Sequence, residues 1–216
     1  MSTATPDPTL DSDRQLTAQG RERKQQLIDC AAALFAERGY SETRIKDIVD
    51  AAGVAKGLFY WYFENKEALF SEVAADIRLR LRKRQGAAID PAAPPLQQIR
   101  QGAEASVWFM AEHAHFFSLL EVENDKVSDQ SRRKGTNQHI SDVRTMIEAG
   151  QADGSIVAEN PTLLALGVVG SVGYYSHYHR TGRLGIEVDE LARYVGASVV
   201  RTLAADATAA SPSPAT

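Results

Sequence analysis

Apolar residues recur along this chain every three or four positions and are separated by short polar or Gly/Pro-rich breaks; no convincing strand stands out among them. Leu27, Ile28, Ala31, Leu34 and Phe35 share one face of a helix expected over about 23–38, which Gly39 ends. Thr43 is placed to cap a second helix with the stripe Ile45, Ile48, Val49 and Ala52, stopped by Gly53. A short third helix is expected over about 55–62, and Asn65 caps a fourth running from 66 to about 84. Beyond the Pro-rich break GAAIDPAAPP, helices are expected over about 96–112, 115–123 and 128–150. The turn-rich AGQADGSIVAENP leads to Asn160 and Pro161, a cap and a first-turn proline that open a helix to about 180. A last helix covers about 188–203. The pattern predicts an all-α fold of about nine helices. Residues 21–66 form a small three-helix unit and 67–205 a larger helical one. Residues 1–20, polar and without apolar period, and the similar 206–216 are expected to be disordered.

Composition narrows the class. Of 216 residues, 44% are hydrophobic and 24% charged, as in an ordinary globular protein with a core of its own. The single cysteine, Cys30, excludes an intramolecular disulfide and fits a reducing compartment. The chain lacks both a run of about 18 apolar residues and a basic-then-apolar leader, so a cytoplasmic location is expected. Net charge of −4 argues against a chain coated by nucleic acid but leaves room for a local basic face. The most basic stretch is RLRLRKR, residues 78–84; it reads either as a DNA-binding stripe or as a solvated helix end. His113 and His115, like His177 and His179, are two apart and point to different faces of a helix, which disfavours a metal pair. No catalytic set of Ser, His, Asp or Cys can be assembled, so neither an enzyme, a metal nor a cofactor is expected.

The stretch GVAKGLFYWYFENKEALF, residues 53–70, sets five rings in a row, Phe59 to Phe63, beside Lys56, Gly57 and Lys66. A tight turn at Ala52-Gly53-Val54 joins two short helices in a helix-turn-helix arrangement. Small residues Ala55 and Gly57 would let the second helix approach DNA closely. Leu58, Phe59 and Phe63 are assigned inward. Tyr60, Trp61 and Tyr62 form the more exposed group, suited to phosphate oxygens, sugars or thymine methyls, and Lys66 stands at a helix N-terminus that also favours phosphate. The alternative for all these rings is an ordinary core.

The ordered set Ala31-Ala32, Leu34-Phe35, Gly39-Tyr40, Thr43, Ile45, Ile48, Ala52-Gly53-Val54, Gly57, Leu58, Tyr60, Phe63, Lys66-Glu67 and Leu69 resembles the DNA-binding domain of TetR-family transcriptional regulators. The resemblance covers 31–70, under a fifth of the chain. It implies a homodimer that binds double-stranded operator DNA, a small-molecule effector site in the larger domain, and a dimer interface made by the last two long helices. The family's DNA contacts carry over to Thr43, Arg44, Lys56, Gly57, Tyr60, Trp61, Tyr62 and Lys66, with Lys46 added. Ala55 stands where the family often has a hydroxyl residue, and Val49 where alanine is common.

In the larger unit, Gly167, Gly170 and Gly173 recur on one helix face, and glycine costs a helix about 1 kcal/mol against alanine. Close approach of another helix would explain them. Together with Leu191, Tyr194, Val195, Val199 and Thr202 they make a candidate dimer interface; packing within one chain is the alternative. Candidate effector-pocket residues are Trp108, Phe109, Phe116, Phe117, Tyr174 and Tyr178, with His113 and His177 as polar handles. A cavity walled by rings would suit an apolar or aromatic ligand, and an aromatic-rich core is equally compatible. The expected function is thus a ligand-released repressor. An all-α ligand-binding or enzymatic module with an idle helix-turn-helix is the competing reading.

Overall fold

The computed structural model describes residues 17–123 and 129–205. Among the described residues there are nine helices: α1 (Ala18–Arg38), α2 (Ile45–Ala51), α3 (Lys56–Tyr62), α4 (Lys66–Ala88), α5 (Pro95–Glu112), α6 (Ala114–Val122), α7 (Asp129–Ala152), α8 (Pro161–Arg180) and α9 (Val188–Leu203). One isolated antiparallel bridge, Ile156 to Ala204, is the sole β pairing among them. The all-α expectation holds.

Two boundaries differ from the apolar pattern for identifiable reasons. α1 begins five residues earlier than expected because the Thr17 hydroxyl accepts the Gly20 N–H at 3.1 Å and caps it. Residues 17–20, read as part of a disordered arm, are therefore its cap and first turn; 1–16 and 206–216 lie outside the described residues. α4 continues past 84 because its arginines are drawn into pairs with other helices instead of ending it. Arg80 pairs with Asp29 of α1 as well as with Asp76 of α4 itself, Arg82 with Asp142, and Arg84 with Glu112. The helix stops where Pro91 disfavours helical backbone at the residue before it. The basic stretch is thus spread over α1, α5 and α7, neither a free stripe nor a merely solvated end.

Two apolar clusters hold the molecule together. The first gathers α1–α4 with Phe109 of α5 and Phe116 of α6. At its centre Phe70 is fully buried, with ring centroids 5.4 Å from Phe35, 5.0 Å from Tyr40 and 6.5 Å from Phe116. The second joins α5, α7, α8 and α9. In it Leu191, Val195, Val199 and Leu203 bury one face of α9 against the rest of the same chain. α9 and α5 approach closely at Gly196, where a Cβ would lie 2.6 Å from Glu104 Oε1 and 3.1 Å from Arg100 Cγ. Leu191, Val195 and Val199, expected at a dimer seam, are accordingly corrected to intrachain core: an amphipathic helix shows the same stripe whichever surface covers it.

The turn between α1 and α2 is held from inside. The buried Thr43 hydroxyl donates to the carbonyls of Gly39 at 2.7 Å and Leu34 at 3.3 Å instead of capping α2. The cap position falls to Arg44, whose N–H donates to the Asp47 carboxylate at 2.9 Å. From the start of α4, Lys66 Nζ donates to the carbonyls of Tyr40 and Thr43, both at 2.9 Å, and sits 4.1 Å from the Tyr40 ring centroid.

Two predictions follow from this packing. Leu191→Ala lowers stability by about 2–5 kcal/mol in urea unfolding, and does so even at concentrations where the chain is monomeric, because the lost contacts lie within one chain. Lys66→Met costs about 1.5–3 kcal/mol, the range for hydrogen bonds to a charged group, and amide hydrogen exchange speeds up first in the α1–α2 turn.

Candidate nucleic-acid interface and ligand cavity

α2 and α3 are joined by a turn that only a residue tolerant of positive φ can make cheaply; Gly53 takes φ 63° there. The Val54 N–H returns to the Val49 carbonyl at 3.0 Å. α3 then divides by face. Phe59 and Phe63 are buried and Leu58 half-buried, so these inward assignments agree with the fold. Tyr60 and Trp61 stand about half exposed, at 50% and 51%, with Lys56 and Gly57 exposed beside them. The Lys56 ammonium lies 5.9 Å from the Tyr60 ring centroid. A Cβ at Gly57 would meet open space, so the small residue leaves the first turn of α3 uncovered. Arg44 and Lys46 of the preceding turn and helix are exposed, as is Ala55; Lys46 makes only a loose 3.5 Å pair with Asp50.

Three expected contact residues are turned to internal work. Thr43 is buried, and Lys66 spends its ammonium on Tyr40 and Thr43. The Tyr62 hydroxyl donates to the Gly20 carbonyl at 2.8 Å, pinning the first turn of α1 to α3, while the ring stands edge-on to Trp61 at 4.6 Å. Their spacing says which residues share a face; it does not say that a carbonyl waits within reach. Cys30 is half-buried, and burial together with Asp29 pushes its thiol up, which disfavours the thiolate form.

A cavity of about 380 Å³ opens between α4, α5, α7 and α8. Its walls are aliphatic, including Ile89, Ile99, Val143, Val168 and Val172, and its mouth carries Arg82, Lys83, His139 and Asp142. The Gln85 amide donates to Ser106 Oγ at 2.8 Å, and Ser106 donates to the Gly102 carbonyl at 2.6 Å. Burial holds the His139 imidazole below its ordinary pKa, a shift that Asp142 opposes and Arg82 reinforces. Among the described residues no group of three or more His, Cys, Asp or Glu converges on a possible metal position.

None of the eight residues expected around an effector lines this cavity. Phe109 and Phe116 are buried in the first cluster, and Phe117 packs on its edge. His113 stacks on Phe109 at 4.1 Å and bonds its carbonyl through Nδ1 at 2.9 Å. Trp108 borders a shallow groove with Arg84 and Glu104 on the outer side of α4 and α5. Tyr174 is 65% exposed beside Tyr178, and His177 meets Glu121 at 2.9 Å. The rings were absorbed by core and surface, while the true cavity wall is made of residues that any helical core would use. The dimer candidates divide likewise. Cβ atoms at Gly167, Gly170 and Gly173 would meet no neighbour, and Tyr194 and Thr202 are exposed. Leu163, Leu166, Gly167, Gly170 and Tyr174 form an uncovered row on α8, of which Leu163 and Leu166 were not anticipated.

Comparison with known proteins agrees with this geometry. The family described as "Bacterial regulatory proteins, tetR family" matches residues 27–73, which span most of α1 through the first turns of α4. The "Probable acrEF/envCD operon repressor" of Escherichia coli (strain K12) is 32% identical over 112 residues, 50% of each chain. The chain thus spans about half the length of the first curated relatives it matches. The "HTH-type transcriptional repressor KstR2" of Mycolicibacterium smegmatis is 30% identical over 146 residues, 64% of this chain and 69% of that protein. Among solved structures, a TetR-like transcriptional regulator from Rhodococcus sp. RHA1 superposes with a TM-score of 0.61 at 25% identity, covering 83% of this chain and 93% of that one. The KstR2 structure of Mycobacterium tuberculosis gives 0.63 at 22% identity, covering 85% and 96%, a likeness of fold. The outward row of α3, the internally tied turn before it and the match to KstR2 over two thirds of that repressor's length together identify this chain as a member of the TetR family.

Proposed function

We propose that this chain is a dimeric, DNA-binding transcriptional repressor whose operator affinity is lowered by a small molecule bound between α4, α5, α7 and α8. The observation that carries the reading is the two-faced α3. One side is locked into the core by Phe59 and Phe63, and the other presents Lys56, Tyr60 and Trp61 uncovered, with Arg44 and Lys46 beside it. A helix fits the major groove; cations position it on phosphates, and rings can pack on sugars or thymine methyls. An enzyme has no need of such a row, and relatives over this region carry repressor names. Repression by a dimer also needs a second copy of the chain. The uncovered row of α8 with Tyr194 of α9 supplies an apolar face for it, and glycines in that row let two helices come close.

Release would follow from geometry. Two reading heads bind together only when their separation matches one helical turn of DNA, or a multiple of it. α4 runs from Lys66, tied to the head, to the cavity, and tilting it changes that separation. The alternative of an idle helix-turn-helix makes a different forecast for the experiment below.

Binding of the purified protein to DNA upstream of its own gene, or to sites selected from random DNA, is measured by fluorescence anisotropy at several salt concentrations. The double variant Lys56→Ala, Tyr60→Ala loses about tenfold or more in affinity with unchanged circular dichroism. Its slope of log affinity on log salt falls by about one for the lost phosphate contact. Thr43→Val leaves that slope as it was. Wild-type affinity in the double variant overturns the reading. Gly170→Arg shifts the chain to monomer in sedimentation and abolishes cooperative occupation of two half-sites; a dimer that survives it places the interface elsewhere.

A further inference from the structure

The cavity is charged at one end only, and that asymmetry bears on what can fill it. Its lining includes no Phe, Tyr or Trp, and its one aromatic ring is the His139 imidazole, so its walls offer little stacking for a flat ligand. Its aliphatic walls, from Leu79 at the rim to Val172, suit a saturated body. The polar pair inside is largely engaged within the chain: one Gln85 N–H donates to Ser106 Oγ, which donates in turn to the Gly102 carbonyl. Unspent polarity is found at the mouth. There Arg82 and Lys83 of α4 stand with Asp142 of α7, and among the described lining residues one positive charge is left uncompensated. His139 adds none near neutral pH, since burial holds its pKa low.

The way Asp142 is held matters more. Arg82 reaches its Oδ2 through Nε alone, at 2.9 Å, leaving the forked end of the guanidinium without a partner among the described residues. The other oxygen, Oδ1, accepts from Gln138 Nε2 at 3.0 Å. Both members of the pair are well over a third exposed or close to it, at 43% and 36%, so the pair is weak and readily exchanged. Asp142 would keep Gln138 if Arg82 left. A guanidinium fork offered a free carboxylate can bind it through two parallel bonds, which Asp142 does not receive.

We propose that the ligand is a small amphipathic carboxylate with a saturated aliphatic or alicyclic body, and that its carboxylate takes Arg82 from Asp142. This rests on the reading of the cavity as the effector site. The exchange cuts the ion pair tying α4 to α7 at a point about 24 Å along α4 from Lys66 by helix rise. Ligand charge thereby acts on the helix that carries the reading head, while the aliphatic body supplies the affinity.

The test uses the full-length chain and three probes of one tail length: decanoate, decanol and decyltrimethylammonium. Binding is followed by calorimetry and operator release by anisotropy. Decanoate binds about tenfold or more tighter than decanol, as expected for hydrogen bonds to a charged group, binds tighter still than the cation, and releases DNA at lower concentration. Arg82→Met with Lys83→Met brings decanoate to the level of decanol. Asp142→Asn removes the competing carboxylate, raises decanoate affinity several-fold and leaves decanol unchanged. Val168→Phe, verified by circular dichroism, fills the cavity and abolishes all binding. If decanol or the cation matches decanoate while Val168→Phe still blocks them, the cavity is an effector site and the carboxylate class is wrong. If no probe binds, or binding survives Val168→Phe, the reading of the cavity falls and the inference with it. Weaker decanoate binding in Asp142→Asn overturns the exchange, because Asp142 would then be orienting Arg82 for the anion.

Discussion

The burial of Phe70 is the constraint on which the rest of the molecule depends. Its ring is enclosed by Phe35 of α1, Tyr40 of the following turn and Phe116 of α6, so one side chain of α4 belongs at once to the small N-terminal unit and to the larger helical one. An aromatic ring of this kind removes roughly 150–250 Å² from water and favours tilted or edge-to-face neighbours. Interiors this dense repack between discrete arrangements and do not yield gradually. A shift of α4 must therefore carry its surroundings along or exchange one packing for another.

The two ends of α4 are held by different forces. Near Lys66 it is fastened by charge-assisted hydrogen bonds to backbone carbonyls and by buried Leu69, Phe70 and Val73. Toward Ala88, beyond buried Ile77 and Leu81, it is fastened by exposed arginine–carboxylate pairs to α5 and α7, by the Gln85–Ser106 hydrogen bond and by one wall of a cavity. Exposed pairs contribute about 0–1 kcal/mol each, far less than the buried rings. The helix is thus firm where it meets the proposed DNA-reading unit and adjustable where a ligand could enter. That gradient is what a transmitted signal needs, since a lever must be rigid at its load and compliant at its input.

Much of the fold was legible because amphipathic helices announce themselves by period and punctuation. Gly39, Gly53, Asn65 and the Asn160-Pro161 pair mark ends that the structure confirms. The start of α1 was hidden because a lone threonine cap, without apolar residues after it, looks like any polar tail. The outward set of α3 was legible as well, since the neighbouring inward rings had to be paired with a core. The internal partners of Thr43, Tyr62 and Lys66 were hidden for one shared reason. Polar side chains next to a binding surface are assigned outward by habit, and whether a backbone carbonyl lies within reach is a three-dimensional fact. The cavity was invisible for the opposite reason. Valine and isoleucine at helical spacing promise burial, and nothing in their order says whether the buried volume is filled. The seam of α9 was seen correctly as a seam; which partner covers it depends on how α5, with Gly196 opposite Glu104, lies in the folded chain.

The split between the two faces of α3 has a consequence for how such a protein can change over generations. Lys56 and Gly57 are exposed and Tyr60 and Trp61 half exposed, whereas Phe59 and Phe63 are fully committed to the core. Substitution on the outer face therefore costs folding less than substitution on the inner face. New binding preferences can be explored by drift through a handful of outward positions while the scaffold stays under purifying selection. Duplicated copies of such a gene could diverge in target long before they diverge in shape.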